Sequence, residues 1–196
     1  MNQKEGEFAV RLARSSIEMW VEKRKTTPAP KDMPEEFRTM RGVFTTLNTW
    51  PEGELRGCIG YPYPVLPLVT AIIKSGIEAT QDPRFPELET DEIDKVTVEV
   101  SILTEPDTIN VKKPEDYPKK INIGEDGLII KLGFSSGLLL PQVAVEYGWD
   151  VKTFLEHLCS KAGLEQDAWK SGKAEILKFQ AEIFCEEEPR GNIKRV

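Results

Sequence analysis

Histidine is almost absent from this chain: His157 is the only one in 196 residues. Many thiol enzymes rely on a histidine base, so protease-like chemistry has one place to find it. Cysteine is scarce too. The three present, Cys58, Cys159 and Cys185, are odd in number and widely spaced, which excludes a disulfide framework and favours a reducing cytoplasm. No Cys/His cluster has the spacing of a zinc site, so no metal ligand set is recognisable, although a carboxylate-bound magnesium would leave no such signature. Basic charge is in deficit. Twenty-six Lys and Arg against 33 Asp and Glu leave a net charge of −7, which argues against a general nucleic-acid binder. Long apolar runs are lacking, so no membrane span is expected, and the first residues, MNQKEGEF, do not have the layout of a signal peptide.

What is present fits a soluble globular protein. Hydrophobic residues make up 39% and charged ones 30%, ordinary values for a globular chain able to bury a core without staples. The most informative stretch is Leu55-Arg56-Gly57-Cys58-Ile59-Gly60. Read as a strand, it puts Leu55, Gly57 and Ile59 on one face, and Glu54, Arg56 and Cys58 on the other. A guanidinium beside a thiol favours thiolate, so Cys58 is a candidate reactive group supported by Arg56. The blander reading makes Cys58 a small buried hydrophobe and the glycines a relief of crowding.

A helix is expected over 4–25, with Phe8, Ala9, Leu12, Ala13, Ser16, Ile17, Trp20 and Val21 on its apolar face and Arg11, Arg14 and Glu18 on the rest. The stretch 42–48 reads as a strand and forms an antiparallel hairpin with LRGCIG. A helix over 65–80 follows, with Pro67 in its first turn. Asp82-Pro83-Arg84-Phe85-Pro86 then reads as an extended exit in which Asp82 and Arg84 are a helix stop with a surface ion pair or, alternatively, an anion site near the hairpin. Val96, Val98, Val100 and Ile102 alternate with Thr97, Glu99 and Ser101, the pattern of a half-buried strand. In one sheet with LRGCIG, this strand would place Arg56, Cys58, Glu99 and Ser101 on one polar floor. A second hairpin is expected over 128–132 and 137–140, joined by a loop over 133–136. Helices follow at 142–147 and 151–162, the latter burying Cys159, with His157 off its apolar face. A closing strand spans 174–185, with Ala181, Ile183 and Cys185 on its apolar side.

LRGCIG, preceded by GVFTTLN and followed by DPRFP, resembles the AMMECR family. The resemblance continues through Asp126-Gly127-Leu128, LLPQVA at 139–144, Trp149-Asp150, Phe154-Leu155 and KAGL at 161–164, in order along nearly the whole chain. It is closest in form to the short prokaryotic, archaeal type. It implies an α/β protein of α+β type with two unequal lobes, each an antiparallel sheet with flanking helices, the larger holding both chain ends. On the strands above, that is 1–105 plus 172–196 for the larger lobe and 106–171 for the smaller. It implies no established reaction and no known cofactor. Relatives occur fused to, or grouped with, Memo-type and radical-SAM-type proteins, which makes those the expected partners.

Two functions follow. In the first, the protein is an intracellular enzyme or an enzyme's partner subunit with a site between the lobes. Cys58 is then the nucleophile or a thiol ligand, Arg56 favours the thiolate or holds an anionic substrate, and Glu99 is the base, with Gly57, Gly60, Arg84 and Gln142 as substrate-binding residues. In the second, the protein binds other proteins without catalysis, and LRGCIG is a structural joint.

Overall fold

The structure, a computed structural model, describes all 196 residues. The chain divides into two compact units, Met1–Leu103 with Glu182–Val196, and Thr104–Ala181.

The first unit is a five-stranded sheet covered on one face by two helices. Helix α1, Gln3–Lys23, opens with a capping box in which Asn2 and Glu5 bond each other's backbone N–H. It closes at Arg24 in the left-handed region, φ 53°. Strands β1, Val43–Thr49, and β2, Leu55–Tyr61, form the expected hairpin. Helix α2 spans Leu68–Ala79, starting later than expected because Pro67 is still extended at ψ 139°. Strand β3, Val96–Leu103, pairs antiparallel with β1. Near the end of the chain, β8, Ala181–Glu186, and β9, Ile193–Arg195, complete the order β2-β1-β3-β8-β9. Ala9, Ala13, Ile17, Leu68, Ile72, Val43, Leu47, Val98, Val100 and Phe184 are fully buried and make the core between sheet and helices.

One charged pair lies inside this unit. Arg14, expected on the solvent side of α1, is 4% exposed and forks onto Glu186. Its remaining donors reach the carbonyls of Ile93 and Val96 at 3.0 and 2.7 Å. The helical pattern misplaced Arg14 because periodicity marks apolar positions and is blind to a charge whose partner lies 172 residues away.

The second unit carries a four-stranded sheet in the order β4-β7-β5-β6, from β4, Asp107–Thr108, β5, Gly127–Leu132, β6, Ser135–Leu139, and β7, Glu175–Phe179. The β5–β6 connection is two residues long, not four. Gly133 at φ 59° occupies the first central position of a II′-type turn, which lets pairing begin at Leu132 and Ser135. Helices α3, Pro141–Glu146, and α4, Val151–Lys161, follow, and Asp150 caps α4 through the Thr153 N–H. Leu128, Ile130, Phe154, Leu155, Leu158, Cys159 and Ile176 are fully buried in this unit's core.

The expected single strand over 174–185 is two strands in two different sheets. Gln180 leaves the ladder, its N–H on Thr104 Oγ1 and its carbonyl accepting the Thr104 N–H, both at 2.9 Å. Beyond that break, Phe184 and Glu186 turn toward α1, so Ile183 and Cys185 lie on the opposite face. The assignment of Cys185 to an apolar side is therefore corrected. So is the placement of 172–181 with the larger lobe, since β7 pairs with β5.

Candidate functional site

The site is built on β2. Thr46 stands opposite Cys58 on one side and opposite Glu99 on the other, so Cys58, Thr46 and Glu99 form one row across β2, β1 and β3, on the face away from the helices. Cys185 continues toward the same row from β8, and the Glu99 carboxylate raises the thiol pKa of both Cys58 and Cys185. Three strand spacings, about 14 Å, separate the two cysteines, more than a disulfide can bridge.

Cys58 is half-buried, and its sulfur accepts a hydrogen bond from Thr46 Oγ1 at 3.3 Å. Burial pushes its thiol above the ordinary range. Thr46 and Arg84 oppose that push, while Glu99 and Asp82 add to it. Arg56 is not among the groups that weigh most in this balance. The expectation that Arg56 favours thiolate finds no support in this arrangement, in which Arg56 is paired with Glu92 and burial raises the thiol pKa.

The reason is where Arg56 points. Between Leu47 and Asn48 the register steps from Gly57 to Leu55, leaving Arg56 as the extra residue of a bulge. Its guanidinium makes a two-pronged pair with Glu92, Nε to Oε1 and Nη2 to Oε2, both at 2.9 Å. Its Nη1 donates to the Pro86 carbonyl at 2.9 Å. Arg56 in return pulls the Glu92 carboxyl below its usual value. The close two-pronged partner is thus Glu92, from the segment before β3.

Arg84 is tied as firmly. Its Nη2 donates to Asp82 Oδ2 at 2.6 Å and to the Cys58 carbonyl at 3.3 Å. Asp82, 2% exposed, accepts the Cys58 N–H at 2.9 Å and the Arg84 N–H at 3.0 Å. The Arg84 hydrogen bonds hold the Asp82 carboxyl at about 2, against the opposing effect of burial. A carboxyl lowered on folding stabilises the native state above its unfolded pKa and loses that effect as pH falls through the folded value. Asp82→Asn should therefore cost about 2 kcal/mol near neutrality, and the gap from wild type should close between about pH 4 and pH 2 in urea titrations. A gap that stays constant down to pH 2 would sink this assignment.

The two motif glycines serve close packing. A Cβ on Gly57 would lie 2.2 Å from the Ala79 carbonyl oxygen at the end of α2, and one on Gly60 would lie 2.4 Å from both the Phe44 ring and the Val43 oxygen. Leu55, expected in the core with Ile59, is 41% exposed at the hairpin end, while Ile59 packs on the core. Ser101 lies on the same face as Glu99 and is 1% exposed, its hydroxyl without a partner. Gln142 belongs to α3 in the other unit, and its Oε1 is likewise buried without a partner. Sequence reasoning missed Thr46 and Glu92. Thr46 was legible as the outward residue of GVFTTLN, whereas nothing local marks Glu92 as the partner of Arg56.

The fold and this hairpin define an α+β protein with two antiparallel sheets. A family model described as AMMECR1 matches residues 10–184, and the chain belongs to that family. It is 53% identical over 190 residues to protein MJ0810 of Methanocaldococcus jannaschii, covering 96% of this chain and 94% of that protein. It is 52% identical over 194 residues to protein PH0010 of Pyrococcus horikoshii, covering 97% and 94%. The crystal structure of uncharacterized protein PH0010 superposes with a TM-score of 0.95 at 50% identity, over 100% of this chain and 98% of that one. No helix is long and apolar enough to cross a membrane.

Proposed function

We propose that the protein acts by binding a partner protein, and that LRGCIG is a structural joint and not a nucleophile's seat. The observation carrying this reading is the surroundings of Cys58: the half-buried sulfur accepts from Thr46, Arg56 is turned to Glu92, and burial raises the thiol pKa against the opposing effects of Thr46 and Arg84. Gly57 and Gly60 supply close approach of backbone and ring to the strand, a structural use. The family resemblance supplies the candidate partners, Memo-type or radical-SAM-type proteins.

Iodoacetamide labelling against pH, read residue by residue on native protein, tests this. Cys58 should label slowly at neutral pH and gain rate only above the free-thiol range, and Cys58→Ser should leave partner capture unchanged while costing about 1 kcal/mol of stability. Rapid labelling of Cys58 near pH 7, with Cys159 and Cys185 silent, would restore the enzyme reading. One observation favours that second reading: Glu99, the expected base, shares with Cys58 the row through Thr46.

A further inference from the structure

Strand β2 is one edge of its sheet, and β9 is the other. An edge strand presents unpaired N–H and C=O groups that another chain can pair with. At β9 the exposure is limited by length, three residues, and by Lys194 and Arg195. At β2, seven residues long, the protection is of another kind. In an antiparallel strand one residue's N–H and C=O point the same way, and those of Cys58 point away from β1, because Asp82 and Arg84 receive them. Asp82 Oδ2 accepts the N–H, and Arg84 Nη2 donates to the carbonyl. This is the pair of bonds that a residue on a neighbouring strand would exchange with Cys58. The segment carrying these side chains cannot make a ladder itself, because Pro83 and Pro86 have no N–H. It is clipped a second time where the Pro86 carbonyl accepts from Arg56.

We infer that DPRFP is an edge guard: the Asp82 and Arg84 side chains stand in for a neighbouring strand at Cys58 and keep β2 from pairing with β2 of a second copy of this chain. The second copy is the fitting occupant because the edge is self-complementary. Around a two-fold axis, Cys58 of each copy offers one donor and one acceptor, and Gly60 turns its own N–H and C=O the same way with no side chain to obstruct approach. The guard is robust to acid, since the Arg84 hydrogen bonds keep Asp82 ionised down to about pH 2.

The experiment compares wild type with Asp82→Ala/Arg84→Ala by sedimentation velocity over a wide concentration range, with amide hydrogen exchange read at Cys58. Wild type should be insensitive to concentration, with Cys58 protected. The double variant should associate into dimers as concentration rises. Its Cys58 amide should exchange about tenfold faster than wild type when dilute and regain protection when concentrated. Unchanged exchange overturns the inference, and so does fast exchange in a variant that stays monomeric, since Asp82 would then merely shield one amide. Should the double variant fail to fold, Arg84→Ala, which keeps the buried carboxylate, carries the same test: weak self-association supports the guard, and a monomer at all concentrations overturns it.

Discussion

Arg14→Met should destabilise the protein by about 3–5 kcal/mol, the largest loss expected from any single charge removal in this chain. The Glu186 side chain is fully buried, and its Oε2 also accepts the Val98 N–H at 3.1 Å. Without the guanidinium that carboxylate remains in the core with one amide as its support, and the carbonyls of Ile93 and Val96 lose their donors. An uncompensated buried charge costs far more than the net worth of the pair itself. The double variant Arg14→Met/Glu186→Leu should accordingly recover a large part of the loss, short of wild type because Val98 N–H is then unpaired. Urea unfolding of the four proteins in the cycle measures both terms. A single variant within about 1 kcal/mol of wild type would show that water reaches the site, contrary to the burial described.

Gly57→Ala should cost about 3 kcal/mol, at the upper end for overpacking. The obstacle is backbone: the new methyl meets the Ala79 oxygen, and no rotamer change moves a helix-terminal carbonyl out of the way. Either β2 or the end of α2 must shift. Asp82 follows α2 by three residues, and its Cβ would lie 3.7 Å from that same methyl. The shift should therefore also loosen the Asp82 bond to the Cys58 N–H, so that faster exchange at Cys58 accompanies the loss of stability. Leu55→Ala on the same strand, where the side chain is 41% exposed, is the control and should change stability by well under 1 kcal/mol in excess of its lost contacts. Equal effects from Gly57→Ala and Leu55→Ala would remove close packing as the role of this glycine.

Which of these features could be read from the chain alone follows from how far each interaction reaches. The β1–β2 hairpin, the alternation of β3 and the cap of α4 at Asp150 are local, decided by period, turn residues and capping chemistry within a few positions of each other. The family too was legible, because LRGCIG, DPRFP and LLPQVA are contiguous motifs. The core role of Cys159 followed from a helical stripe. Proximity of Cys58 and Glu99 was legible in part, since strand parity puts both on one face once they share a sheet.

Tertiary structure alone decided the rest. A bulge of one residue sent Arg56 to Glu92, because a change of register alters a side chain's direction without altering the pattern around it. A single exposed residue, Gln180, divided one alternating run between two sheets and reversed the face of Cys185. Arg14 found Glu186 across most of the chain's length. The Cys58 thiol pKa was set by burial, which is a property of everything packed around the sulfur and not of the arginine two residues before it. By itself the sequence determined the elements, the family and the location of the motif; the chemical state of that motif depended on contacts between residues far apart in the chain, and only the folded arrangement supplies those.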